Sequence, residues 1–164
     1  MGEWAPHRAA GRDDGSAIVE FLCLSLLLLV PLIYLVVALS RIQAGAYGTE
    51  FAARESSRGA VVAGVQSLER GASLDQAIVA ANRRANTVAA LAIEDFGFDA
   101  AHSSRVTFGC DPQPCLAPGI DVVTTVELKV DLPGVPGFVR SWLPLAVTVR
   151  STSASAVDGF ASGS

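Results

Sequence analysis

Residues 21–39 form the most apolar part of the chain, because they include no charged side chain and are mostly leucine, valine and isoleucine. A helix of about 20 apolar residues is long enough to cross the hydrocarbon core of a membrane. A buried helix of so small a domain would be apolar on one stripe rather than on every side. The pattern therefore predicts a transmembrane helix. Pro31 removes one of its backbone hydrogen bonds and is expected to kink it near Leu27.

Two other interpretations of this run fit less well. A removable secretory signal would account for the A-x-A pattern of Ala44 and Ala46, but the apolar core of such a signal usually spans about 7 to 15 residues. A lipoprotein signal needs a small residue directly before its modified cysteine, whereas Cys23 follows Leu22 inside the run. Cys23 is therefore interpreted as a small apolar side chain of the membrane helix.

Helical periodicity continues beyond the apolar run. Residues 41–62 contain no proline, are rich in alanine, and place Tyr47, Phe51, Arg54 and Arg58 at helical spacings. Several glycines in this stretch lower its intrinsic helix stability, so the helix has to gain stability from packing. We expect one helix over residues 16–63, of which the second half lies outside the membrane.

A second helix is predicted after Ser73, which is a capping residue. An apolar stripe with alternating spacings of four and three follows it, consisting of Leu74, Ile78, Ala81, Ala85, Val88 and Ala92. Arg83 and Arg84 lie off this stripe. Because the stripe is shallow and rich in alanine, it permits close packing, and we interpret it as a core contact rather than a binding site.

After Phe98 the period of the apolar positions changes to two, which is the repeat of a β-strand. The alternation is clearest in residues 122–132, and Leu145, Val147 and Val149 repeat it. Residues 105–110 give a shorter third strand. The simplest arrangement is an antiparallel meander packed against the second helix and the protruding part of the first. The expected fold class is α+β.

The connection between the last two strands begins with the turn-forming residues 133–137 and then carries Phe138, Trp142 and Leu143. This loop is more apolar than a solvated connection requires, so it is either a docking edge or a segment that folds back over the end of the sheet. Residues 158–164 are expected to form a disordered tail.

The composition narrows the possible functions. The chain has 164 residues, a formal net charge of −4 and 12 basic residues against 16 acidic ones, so it lacks the basic face that nucleic-acid binding needs. The sequence shows no nucleophile elbow, no phosphate-binding glycine loop after a strand and no paired histidines at helical spacing. We therefore expect no enzymatic activity, no small-molecule substrate and no cofactor.

Cys110 and Cys115 enclose a short loop with two prolines, and a disulfide between them would add about 2 kcal/mol of stability in the chain-entropy model. Zinc would need four ligands, and beyond these thiols residues 16–164 offer one histidine, His102, and no second cysteine pair, so the disulfide is favoured and no metal is expected.

Arginines flank the apolar run on both sides and leave its orientation open. A structural disulfide places the C-terminal domain outside the cytoplasm.

The segment Gly15-Ser16-Ala17-Ile18-Val19-Glu20-Phe21 resembles the processing site of type IV prepilins. The resemblance implies a leader of residues 1–15, removed after Gly15 by a membrane-embedded prepilin peptidase, so that Ser16 becomes the N-terminus and Glu20 the fifth residue. It also implies that Glu20 pairs with the N-terminal ammonium of a neighbouring subunit. A carboxylate at the edge of an apolar helix needs such a partner unless it reaches the interface.

Residues 52–60, together with Glu20-Phe21, are similar to TadE-like proteins, the minor pseudopilins of tight-adherence pilus systems. The resemblance implies a pilin-like layout, with a leader, a membrane helix and its extension over residues 16–63, and an outer domain over residues 64–157. It implies other pilins and the assembly-platform proteins as partners. The expected location is the cytoplasmic membrane, crossed once, with the N-terminus in the cytoplasm. The alternative is an uncleaved membrane anchor whose outer domain binds a ligand.

Overall fold

The computed structural model describes residues 14–111, 113–132 and 146–158, with only the backbone at positions 14 and 15. These residues form α1 (Asp14–Glu69), α2 (Leu74–Asp95), α3 (Ala100–Ser103), β1 (Ser104–Asp111), β2 (Asp121–Asp131) and β3 (Ala146–Ala156). The predicted α+β class with a pilin-like layout is confirmed. The predicted apolar loop with Phe138, Trp142 and Leu143 lies outside the described residues, as does the predicted tail beyond Asp158.

The chain divides into two compact units, residues 1–37 and residues 38–164. α1 includes residues of both units and is longer than the predicted helix of residues 16–63. Its additional C-terminal turns carry Val65 and Leu68, whose side chains pack against the core. After α1 ends, Gly71 adopts a φ of 83°, a left-handed conformation that glycine takes without a steric penalty.

The three strands form one antiparallel sheet in the order β1-β2-β3, which confirms the predicted meander. β2 is the central strand, and its alternate side chains from Val122 to Val130 are buried, as the two-residue repeat predicts. Leu128 and Val126 in this strand are among the largest fully buried side chains of the described structure. One face of the sheet therefore forms the floor of the core of the second unit.

α2 begins with the predicted cap. The Ser73 hydroxyl accepts a hydrogen bond from the backbone N–H of Gln76, and the Gln76 side chain accepts one from the Ser73 N–H. The buried face differs from the predicted stripe: it consists of Ala77, Ala81, Ala85, Ala89, Ala92 and Ile93. Leu74 is exposed and Val88 is only half-buried. Five of these six side chains are alanines, and Ile93 is the one large side chain that α2 buries completely.

α1 contributes a buried face in which every side chain is small. This small-residue stripe consists of Gly45, Gly48, Thr49, Ala52, Ala53, Ser56, Ser57, Ala60, Gly64 and Ser67. Three of its hydroxyl groups, those of Thr49, Ser56 and Ser57, hydrogen-bond to carbonyl groups of their own helix. Thr49 donates to Gly45 O over 2.6 Å and Ser57 to Arg54 O over 2.9 Å. These three hydroxyl groups are thus removed from water without being left unpaired.

The glycines of the stripe mark the positions where other elements lie closest to α1. A Cβ atom at Gly45 would lie 2.5 Å from Val130 Cγ2, and one at Gly48 would lie 2.9 Å from Phe96 Cγ. A Cβ at Gly59, which is not part of the stripe, would meet Val88 Cγ2 at an ordinary 3.4 Å. The glycines therefore have different roles, since Gly45 and Gly48 are required by packing and Gly59 is not.

This difference predicts opposite effects of the same substitution at two positions in one helix. Both Gly45→Ala and Gly59→Ala add about 1 kcal/mol of helix propensity. Gly45→Ala also overpacks the contact with Val130, which costs about 1 to 3 kcal/mol. We expect the full-length protein with Gly45→Ala to melt at least about 4 °C below the protein with Gly59→Ala. Equal melting temperatures, measured by circular dichroism in detergent, would contradict the close approach of α1 to β2.

Candidate functional site

The apolar part of α1 is exposed on all its sides. Within the first unit every side chain from Ser16 to Val37 is exposed except the half-buried Ser25. Phe21 is 69% exposed, and Leu27 and Leu28 are each 74% exposed, values that a water-facing helix could not maintain over so long a run. One helix of this chain, near its N-terminus, is thus apolar enough to span a membrane, as a single-pass membrane protein requires.

Glu20 is the only charged residue between Ser16 and Ser40. Its side chain is exposed, and it forms no ion pair with any residue in the described ranges. In hydrocarbon an isolated carboxylate is costly, so the charge has to lie at the membrane interface or meet a cation. The apolar segment therefore offers one charged group by which a partner could recognise its register, and that group lies beside Phe21.

The predicted cleavage point falls at the start of α1. The helix begins at Asp14, so the bond between Gly15 and Ser16 lies in its first turn. Pro31 lies inside α1, where it removes one backbone hydrogen bond, and the helix continues on both sides of it. Cleavage after Gly15 and a kink near Leu27 both remain predictions.

Cys110 and Cys115 form the predicted disulfide, with Cα atoms 5.3 Å apart. The bond closes the loop that follows β1 and leads directly into Leu116, which is 4% exposed and has a φ of 62°. A Cβ at Gly64 would lie 2.6 Å and 2.7 Å from the two methyl carbons of Leu116. The disulfide loop thus holds Leu116 against the C-terminal part of α1, where it joins the core cluster of Ala60 and Val122.

Loss of the disulfide is expected to lower the free energy of unfolding of the second unit by about 2 kcal/mol, because the unfolded loop regains its conformational freedom. The double variant Cys110→Ser/Cys115→Ser should melt at a lower temperature than the original protein. A reducing agent should lower the melting temperature of the original protein by a similar amount and leave the double variant unchanged. A Cys23→Ser variant that responds to the reducing agent like the original protein serves as the matched control.

Asp99 and His102 form an exposed pair at the start of α3. The Asp99 carboxylate accepts a hydrogen bond from the His102 backbone N–H at 3.3 Å and lies 2.8 Å from His102 Nδ1. The side-chain hydrogen bond with His102 is the main reason why the pKa of Asp99 is lowered. The pair caps α3, and its contribution is present at neutral pH and lost as the pH falls through the lowered pKa of Asp99. Its geometry is that of a helix cap.

The hydrophobic pattern of the sequence does not predict the small-residue stripe as a packing surface. The sequence does contain a corresponding pattern, because small residues recur every three or four positions from Gly45 to Ser67. The glycines among them lower the helix propensity of α1, but the absence of a large side chain is also what permits close contact. Close packing in the same core also accounts for the alanine-rich buried face of α2.

Comparison with known proteins finds no relative: no family model, no curated protein and no solved structure matches this chain. Functional inference therefore depends on the sequence pattern and on the geometry of the described residues. The features available for it are the exposed apolar helix, its single carboxylate at Glu20, and the disulfide-closed α+β unit.

Proposed function

We propose that this protein is a minor pseudopilin of a tight-adherence pilus system, cleaved after Gly15 and incorporated by lateral packing of its N-terminal helix. The observation that carries the proposal is that α1 combines a membrane-type segment with a packing surface of the second unit. An apolar, exposed segment bears one carboxylate, Glu20, at the fifth position after the proposed cleavage point. The same helix then supplies the small-residue stripe that packs in an α+β unit. The pseudopilin is a structural component of the assembly.

The role proposed for Glu20 follows from electrostatics in a low-dielectric environment. When apolar helices pack side by side, an unpaired carboxylate between them is destabilising, whereas one that meets an ammonium group is compensated. Cleavage would create such an ammonium group at Ser16. Pairing of Glu20 with the Ser16 amine of a neighbouring subunit would then favour one axial register over others.

The disulfide supports the proposed topology. Structural disulfides persist in oxidising compartments and are rare in the cytoplasm. The Cys110–Cys115 bond holds Leu116 in the core, so it has a structural position in the second unit. This supports a C-terminal domain outside the cytoplasm and an N-terminus inside it, the side on which a prepilin peptidase would act, with pilins and assembly-platform proteins as partners in the membrane.

An uncleaved single-pass anchor with a ligand-binding outer domain is the second candidate. One observation favours it, because the bond between Gly15 and Ser16 lies within α1 rather than in an extended segment. The leader is also acidic beside this bond, with Asp13 and Asp14. In this case Glu20 would lie at the membrane interface and need no partner.

The two candidates predict different N-termini. We expect the mature protein, isolated from native membranes, to begin at Ser16, because cleavage leaves the apolar helix attached to the outer domain. Intact-mass spectrometry reads this directly. A Gly15→Leu variant, which removes the small residue before the bond, should keep its leader and provides the control. A chain that still begins at Met1 in native membranes would contradict the pseudopilin proposal and favour the anchor.

Removal of the Glu20 carboxylate should impair assembly without impairing insertion. We expect Glu20→Ala to lower the amount of this protein recovered in purified filaments by about tenfold, which corresponds to about 1.4 kcal/mol of lost pairing free energy. Membrane insertion and leader removal should stay near normal. Glu69→Ala, which removes an exposed carboxylate at the other end of α1, is the matched control. Normal recovery of the Glu20→Ala protein would argue against the pairing.

A further inference from the structure

A groove of about 540 Å³ lies between α1 and α2 in the second unit. Gly59, Ala63 and Val88 are half-buried and form its floor. Its exposed borders carry Glu55, Arg58, Val62, Gln66 and Arg84. The groove thus combines a floor of small and apolar residues with charged groups along its sides.

Both arginines line the groove, Arg58 from α1 and Arg84 from α2. A Cβ at Gly59, the residue after Arg58, would lie 3.6 Å from Arg84 Cγ and 3.8 Å from Arg84 Nε, so the Arg84 side chain lies across α1 at this point. Neither arginine forms an ion pair within the described part of the chain, whereas Arg54 pairs with Glu50 and Arg150 with Glu127. Glu55 alone offsets these two cations, so the groove is positive on a chain whose net charge is −4.

Apolar side chains extend from this groove along the outer face of α1. Val62 borders the groove and is 49% exposed, and Phe51 and Tyr47 are 47% and 66% exposed on preceding turns. An amphipathic helix binds such a surface by placing apolar side chains in the groove and polar ones along its borders. The unpaired arginines favour a helix that brings carboxylates, because each cation then gains a charge-assisted hydrogen bond.

The chain itself does not offer this occupant. In a symmetric dimer through the same surface, two grooves of net positive charge would face each other, and like charges across an interface are repulsive. Residues 133–145 and 159–164 contain no aspartate or glutamate, and the acidic residues Glu3, Asp13 and Asp14 precede the apolar run, more than 40 residues before Arg58 in the sequence. The carboxylates that complement the groove have to come from a different protein.

We propose that the groove between α1 and α2 binds an acidic amphipathic helix of another protein, with its carboxylates on Arg58 and Arg84 and its apolar side chains on Val62, Val88 and Phe51. The groove lies wholly in the second unit, so the inference does not depend on leader cleavage or on the role of Glu20. It holds for a pseudopilin and for an uncleaved anchor alike.

The test uses the full-length protein in detergent and a fluorescent synthetic helix with leucines at positions i, i+4, i+7 and i+11 and glutamates beside them. A sibling peptide carries glutamine in place of each glutamate. We expect the glutamate peptide to bind at least about tenfold more tightly than its sibling in fluorescence anisotropy, and added NaCl to weaken its binding. Equal affinity of the two peptides, or no binding of either, would overturn the proposal.

Charge variants of the protein test whether the peptide binds at this groove. Arg58→Gln/Arg84→Gln should weaken binding of the glutamate peptide at least about tenfold, whereas Arg70→Gln/Arg83→Gln, which removes two exposed arginines that do not line the groove, should not. Arg58→Glu/Arg84→Glu should instead prefer a lysine peptide, which shows that the variant is folded. An equal loss in both glutamine variants would overturn the assignment to this groove. Self-association of the original protein would also overturn the proposal if Arg58→Gln/Arg84→Gln abolished it, because the occupant of the groove would then be a second copy.

Discussion

The contact between the small-residue stripe of α1 and the central strand of the sheet sets the spacing of the whole second unit. Val130 Cγ2 lies 2.5 Å from the place where a Cβ of Gly45 would be, so a side chain of the sheet reaches the backbone of the helix at this point. Such close contact brings many atom pairs within the range of dispersion attraction. The buried face of α2 packs on the same core with alanines and one large side chain, Ile93.

A thin core of this kind gains less from hydrophobic burial per residue than a core of leucine and phenylalanine does. The largest fully buried side chains of the described structure are Ile93, Leu128 and several valines. The second unit compensates with local constraints: a capping box at the start of α2, a disulfide in the loop after β1, and Leu116 held against Gly64. Each lowers the conformational freedom of the chain or fixes one element against another.

The distribution of polar groups in α1 matches two different environments. Where the helix packs on the sheet, hydroxyl groups are buried and bonded to carbonyls of the same helix, so no partner outside the chain is required. Where the helix is apolar on every side, the single carboxylate of Glu20 has no ion-pair partner within the described residues. The proposed assembly role depends on the carboxylate of Glu20, and the proposed groove depends on Arg58 of α1 and Arg84 of α2, which also form no ion pair within the described residues.

The sequence by itself determined the order and type of the main elements, because hydrophobic periodicity and capping are local properties. The apolar run, the cap at Ser73 and the alternation in β2 all predicted what the structure contains. The short α3 was missed because a single turn has too few residues to show a period. Tertiary structure alone decided which face of α2 is buried and why Gly45 is required while Gly59 is not. Those outcomes depend on how closely neighbouring elements approach, and a linear pattern does not encode that distance.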